Sequence, residues 1–237
     1  MTVTIDSEIL ASLEAAPVPY DFFREVHKGL RKALFELVVE LGATDFADAD
    51  ERGRAIDRVH ATIELLHVHH GHEDRFVKPL VDRVSPWLSG IVDAGHAETD
   101  ADLAEIELGT DALVAADDAD CLAAGLTLYR RVAQFVASYL GHMELEEGQV
   151  MTALRDTMSV EQLFVVDMEL RAAIPPATLC QFATVILPAM NGEERLAMLG
   201  GIRAGAPAEI FDQVRATAER ALSPIDYAAV EMKLALR

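Results

Sequence analysis

Four successive stretches of this chain place apolar residues at alternating steps of three and four, and each of them puts a histidine where leucine would be expected. Such steps keep side chains on one face of an α-helix, so each stripe reads as the buried seam of a helix packed against others. The first seam holds Tyr20, Phe23, His27, Leu30, Leu34, Leu37 and Leu41; the third holds Leu88, Val92, His96, Thr99, Leu103 and Ile106. The fourth runs Leu128, Val132, Phe135, Tyr139, His142, Glu146 and Val150, which brings a histidine and a glutamate one turn apart to the same inward face. The second has Ile56, Val59, Ile63 and Leu66 inside, followed by the richest cluster, His67, His69, His70, His72, Glu73 and Asp74. No segment alternates apolar and polar residues long enough to suggest a sheet, so the chain reads as all-α.

Starts and stops divide the pattern. The spacing predicts helices over about 19–41, 51–84, 85–114 and 117–156, packed as an antiparallel four-helix bundle occupying 1–156. Gly42 closes the first, and Pro79 should bend or shorten the end of the second. Ser85-Pro86 is a cap followed by proline at the first helical position, and Asp117, Asp118 and Asp120 suit the positive start of the fourth. Beyond it, Ser159 with Gln162 and Asn191 with Glu194 resemble capping boxes, and Ser223-Pro224 repeats the cap-plus-proline start. The region 157–237 is therefore expected to be an additional C-terminal helical extension of several shorter helices, and it contains no histidine.

Charge and sulfur narrow the chemistry. A formal net charge of −20 repels phosphate backbones and anionic lipid, whose binding rests on Lys and Arg, so nucleic acid is not an expected partner. No apolar run reaches the roughly 18 to 20 residues of a membrane helix, and the acids near the N-terminus do not suit a signal peptide, so no membrane partner and a cytoplasmic location are expected. Only Cys121 and Cys180 are present, far apart and without a CxxC, which argues against a disulfide framework or a sulfur-based metal site. Any metal must be held by nitrogen and oxygen.

Those donors are present. His69 and Glu73 are four apart, as are His142 and Glu146, and each glutamate is followed by a second acid, Asp74 and Glu147. With His27 and His96 they make four imidazoles and two carboxylates on four helices, although spacing alone does not choose His69 over His70. A carboxylate buried in a bundle costs several kcal/mol unless it is paired or coordinated. No Lys or Arg stands on the seams near these positions, so a cation is the natural compensation. Imidazole and carboxylate suit iron, with manganese or zinc as substitutes, and bundles build two-metal sites from facing helices with carboxylates bridging the ions. A lone buried histidine is more often a hydrogen-bonded core residue than a ligand; it is the repetition across four helices that favours metal. His72-Glu73 is not a zinc-protease HExxH, because Phe76 stands at the second histidine position.

The order H, HxxxE, H, HxxxE at His27, His69 to Glu73, His96 and His142 to Glu146 resembles the hemerythrin-like HHE cation-binding domains, and His69-His70-Gly71-His72-Glu73-Asp74 with Pro79 behind it resembles their second-helix signature. The resemblance covers about 15–155 and implies an up-down four-helix bundle with a non-haem diiron centre held by His27, His69, Glu73, His96, His142 and Glu146. Oxygen-carrying hemerythrins have a second histidine one turn along the third helix; here that position is Asp100. The difference points away from reversible oxygen carriage and toward sensing or redox chemistry. His70, Asp100 and Tyr139 are the neighbours expected around the ligands: His70 as the reserve ligand, Asp100 as a seventh ligand or a solvated acid, Tyr139 as a hydrogen-bond donor or core filler.

The expected function is binding or sensing of oxygen, peroxide, nitric oxide or iron, with a small diatomic or peroxide ligand and a protein partner or oligomer responding through the helical extension. The alternatives are a diiron oxidase or peroxidase, and iron storage or handling.

Overall fold

The computed structural model describes residues 7–16 and 18–236. The acids and apolar positions within residues 1–6, which entered the reading of the N-terminus, lie outside them. Among the described residues there is no strand. The helices are α1 (Ser7–Glu14), α2 (Arg24–Ala43), α3 (Ala49–His72), α4 (Lys78–Val84), α5 (Pro86–Ala115), α6 (Cys121–Leu145), α7 (Met151–Thr157), α8 (Val160–Ala173), α9 (Pro176–Ala189), α10 (Gly192–Gly205), α11 (Ala208–Ala221) and α12 (Pro224–Ala235). Two five-residue π turns, Glu73–Val77 and Glu146–Val150, join α3 to α4 and α6 to α7. The chain is all-α, as its periodicity predicts.

Local signals account for most boundaries. Ser85 accepts from the Leu88 amide ahead of Pro86, Ser223 accepts from the Asp226 amide, and Asn191 with Glu194 forms a complete capping box. Ser159 and Gln162 exchange the same pair of bonds. The first seam helix begins later than the seam itself, at Arg24, because the Asp21 carboxylate accepts from the Phe23 amide and holds the preceding residues in a turn. Pro79 lies in the first turn of α4, where its missing amide is tolerated, and the interruption falls ahead of it in the π turn.

The chain divides into two compact units, 1–23 with 34–172 and 24–33 with 173–237. This division differs from one at 156/157, since α8 groups with the first unit. The reason is packing: Leu163 joins a buried cluster with Phe22, Phe23, Val81, Val92, Met151 and Leu154, and Asp167 accepts from the Tyr20 hydroxyl. Within this unit the seams are buried as expected, from Leu34, Leu37 and Leu41 through Val59, Ile63 and Leu66 to Leu103, Ile106, Leu128 and Val132. In the second unit Leu187, Leu199, Val214 and Ala218 are buried, and the Arg195 guanidinium donates to the Leu187 carbonyl at 2.9 Å and pairs with Asp226 at 2.7 Å. Among the described residues no single helix is long and apolar enough to cross a membrane.

One glycine sets a close approach in the first unit. A Cβ at Gly125 would lie 2.1 Å from the Phe46 ring, which is itself buried. Gly125→Ala should therefore overpack this contact and lower unfolding free energy by about 1–3 kcal/mol despite alanine's better helix propensity. Chemical denaturation checks it; an unchanged or raised midpoint would refute the contact.

Candidate metal centre

The HxxxE spacing works because four residues are slightly more than one helical turn, so both side chains leave the same face. His69 Nε2 lies 3.0 Å from Glu73 Oε1 and His142 Nε2 lies 3.2 Å from Glu146 Oε1. In both helices the glutamate opens a π turn: the Glu73 carbonyl accepts from the Lys78 amide and the Glu146 carbonyl from that of Met151, five residues on. This equivalence extends the matched motifs into the backbone, and π turns of this kind cluster at functional sites. Helical periodicity carries no signal for it; the repeated Glu-acid pairs mark the place without revealing the geometry.

Within the first unit the two motifs and α5 converge. His70, Glu73, His96 and His142 offer ligand atoms that all lie within 4.8 Å of one another, and so do His69, Glu73 and Glu146. Glu73 belongs to both groups. From α5, His96 Nε2 stands 3.6 Å from both Glu73 Oε2 and Glu146 Oε1, while its Nδ1 is 3.0 Å from Asp74 Oδ1. A histidine whose second nitrogen meets a carboxylate is oriented as metal-ligating imidazoles commonly are. His27, on α2, is fully buried and belongs to the part of that helix, 24–33, that groups with the second compact unit.

Three neighbours were left open by the sequence. His70 is drawn into the first group, its ring stacked on His96 with centroids 4.7 Å apart, so the HxxxE match that favoured His69 does not exclude it. Tyr139 is fully buried and its hydroxyl is 3.2 Å from His70 Nε2. Asp100 is exposed, with its carboxylate 3.8 Å from His70 Nδ1, and it stands behind that ring without joining either group. His60 and His67 are exposed.

Electrostatics follow from burial. Burial pushes His70 down to about 3 against the pull of Glu73, so this imidazole is neutral at ordinary pH. Burial also works against charge on His96, but the Glu146 and Glu73 carboxylates outweigh it and hold the imidazolium up to about 10. Burial and Glu73 push Glu146 up, yet His142 and His96 bring it below the usual carboxylate range. The Tyr139 phenol is raised well above its ordinary value by burial, with both glutamates adding to the effect. In the metal-free protein His96 thus carries a positive charge between the two acids.

The donor set fits a cation better than it fits itself. His96 Nε2 and both ring nitrogens of His142 are buried and make no hydrogen bond, although carboxylate oxygens stand only 3.2 and 3.6 Å away. Each group gathers its ligand atoms about a shared space. Bonds of about 2 Å to an ion there would place neighbouring ligand atoms roughly 3–4 Å apart, in keeping with the observed clustering. Among sequence profiles of known families, the hemerythrin HHE cation binding domain matches residues 18–154. The chain belongs to the hemerythrin HHE family. No curated protein and no solved structure was found to match it. In this hemerythrin-family chain His70 stands close enough to Glu73, His96 and His142 to share their cluster, with the Asp100 carboxylate 3.8 Å from its Nδ1.

A metal-ligating imidazole must be neutral at the bonding nitrogen, so ion binding has to displace the His96 proton. Because the His96 value is raised, the imidazolium's stabilisation of the metal-free protein is present below the unfolded value and lost as pH rises through about 10. Between pH 6 and 9 metal binding should release about one proton from this group and tighten as pH rises. Calorimetric titration in buffers of differing ionisation enthalpy measures it, and a buffer-independent heat would count against the assignment.

Proposed function

We propose that this hemerythrin-family protein holds two iron ions between its HxxxE helices and binds or senses a small ligand there, such as oxygen, peroxide or nitric oxide. The observation that carries the reading is Glu73, a buried carboxylate shared by two separate groups of buried donors. One ion would be held by Glu73 with His70, His96 and His142, the other by Glu73 with His69 and Glu146. His27 is proposed as the imidazole that completes the second set: it is buried on the seam of one continuous helix, two turns before Leu34 on the same stripe. Nitrogen-rich ligands on one side and carboxylates on the other suit iron, with manganese or zinc as substitutes.

Bound iron would supply one-electron redox steps and an open coordination position. The chain's own residues set the conditions around it. Phe23, Val77, Val81, Val92 and Val150, with Lys78, line a small, mainly apolar recess beside His96 and the carboxylates of Glu73 and Glu146, which are themselves buried. Asp74 fixes the His96 ring, and Asp100 faces that of His70.

Oxidase or peroxidase activity is the second reading, favoured by Tyr139. Its buried hydroxyl beside His70 is placed to give or accept a proton at the edge of the cluster. Turnover of peroxide, lost in Tyr139→Phe with iron content preserved, would select it over sensing.

Anaerobic reconstitution with ferrous iron and metal quantification test the centre itself. About two irons per chain are expected from the paired donor groups, with loss of iron in Glu73→Gln and His142→Ala while far-ultraviolet circular dichroism stays unchanged. Uptake of iron that ignores both substitutions would refute the proposal.

A further inference from the structure

An open cleft of about 540 Å³ runs between α5 and α6, and its lining has a consistent chemistry. Gly95, Glu98 and Asp102 contribute from one α5 face, being three and four residues apart; Gly141, His142 and Glu144 contribute from α6. No lysine or arginine lines it. Glu98 and Glu144 are exposed, Asp102 is half-buried, and among the described residues none of the three is ion-paired. Acidic surface of this sort is common and means nothing alone.

The floor gives it meaning. His142 is 9% exposed and faces two ways. Its Nε2 lies 3.2 Å from Glu146 Oε1 in the centre, and its Nδ1, like Nε2, is buried with no hydrogen-bond partner. That Nδ1 lies against Gly95, another residue of the cleft lining, where a Cβ would come within 2.7 Å of it. A buried ring nitrogen without a partner is costly, which marks His142 as the imidazole available at this wall of the cleft. Gly141 is exposed, and nothing lies within 4 Å of where its Cβ would be, which leaves the mouth open.

We propose that this cleft is the port through which a divalent cation reaches the centre, gathered at the mouth by Glu98, Asp102 and Glu144 and met at the floor by His142. Carboxylates with no neighbouring base concentrate cations and repel anions, and a cleft focuses that field toward its floor. Oxygen ligands at the mouth suit a ferrous ion still carrying water, and imidazole then competes for it as water is lost. Oxygen and neutral peroxide carry no charge and would gain little from the acids.

The port rests on the metal-binding reading, but uptake rate separates the two. Metal-free protein is mixed anaerobically with ferrous iron at low ionic strength, and excess ferrous chelator added at intervals traps iron not yet enclosed. The combined variant Glu98→Lys, Asp102→Lys, Glu144→Lys should load about tenfold or more slowly, reach the parental iron content, and lose the parental slowing by salt. A control with the same change of charge at exposed positions outside the cleft, Asp57→Lys, Glu64→Lys, Asp111→Lys, should load at nearly the parental rate. If the lysine variant misfolds, Glu98→Gln, Asp102→Asn, Glu144→Gln should show a smaller slowing in the same direction. Equal loading by cleft variants and control overturns the port while leaving the centre intact; failure of the parent to enclose iron overturns the centre and the port together.

Discussion

Two buried carboxylates facing a cluster of imidazoles are the constraint to which the rest of the bundle answers. Glu73 is 4% and Glu146 1% exposed, at depths where leucine would cost nothing and an ionised acid costs several kcal/mol. The metal-free protein meets that cost with a proton on His96, held between the two acids. A proton is a modest substitute for divalent charge, and the ring nitrogens of His142 remain without hydrogen bonds around it. The interior is therefore arranged for a charge greater than the one it carries alone.

That arrangement reaches into the backbone. Each glutamate begins a π turn, so the two helices that hold the carboxylates loosen at equivalent places while α5 supplies His96 between them. Apolar packing resumes immediately after, with Val77, Leu80 and Val81 on one helix and Val150, Met151 and Leu154 on the other. The buried polar residues are thus followed on both helices by well-packed apolar residues. Glycine at 95 lets α5 come close to the His142 ring, and glycine at 125 admits the Phe46 ring. Both positions are chosen by contact with another element.

Much of this was legible in the chain alone. The seams of His27, His96, His142 and Glu146 are all buried, and the caps at Ser85, Asn191 and Ser223 form as their spacing implies. These features are local: a helix face and a cap depend on residues within one or two turns. Less legible were the roles of His70 and Asp100. Helical spacing puts neighbouring residues about 100° apart, so His69 and His70 can both border the interior, and only the positions of α5 and α6 show that both do. The grouping of α8 with the bundle was hidden for a similar reason, since the partners of Leu163 and Asp167 lie far away in sequence.

Sequence by itself determined that the chain is helical and that four helices carry buried nitrogen and oxygen donors. Periodicity and residue chemistry suffice for those conclusions because both are properties of single helices. Tertiary structure decided which donors share a space, that Glu73 belongs to two groups, that Tyr139 meets His70, and that a cleft reaches His142. Those are distances between helices, set by how side chains such as Phe46, Leu103 and Leu128 fill the core, and spacing along one helix does not encode them.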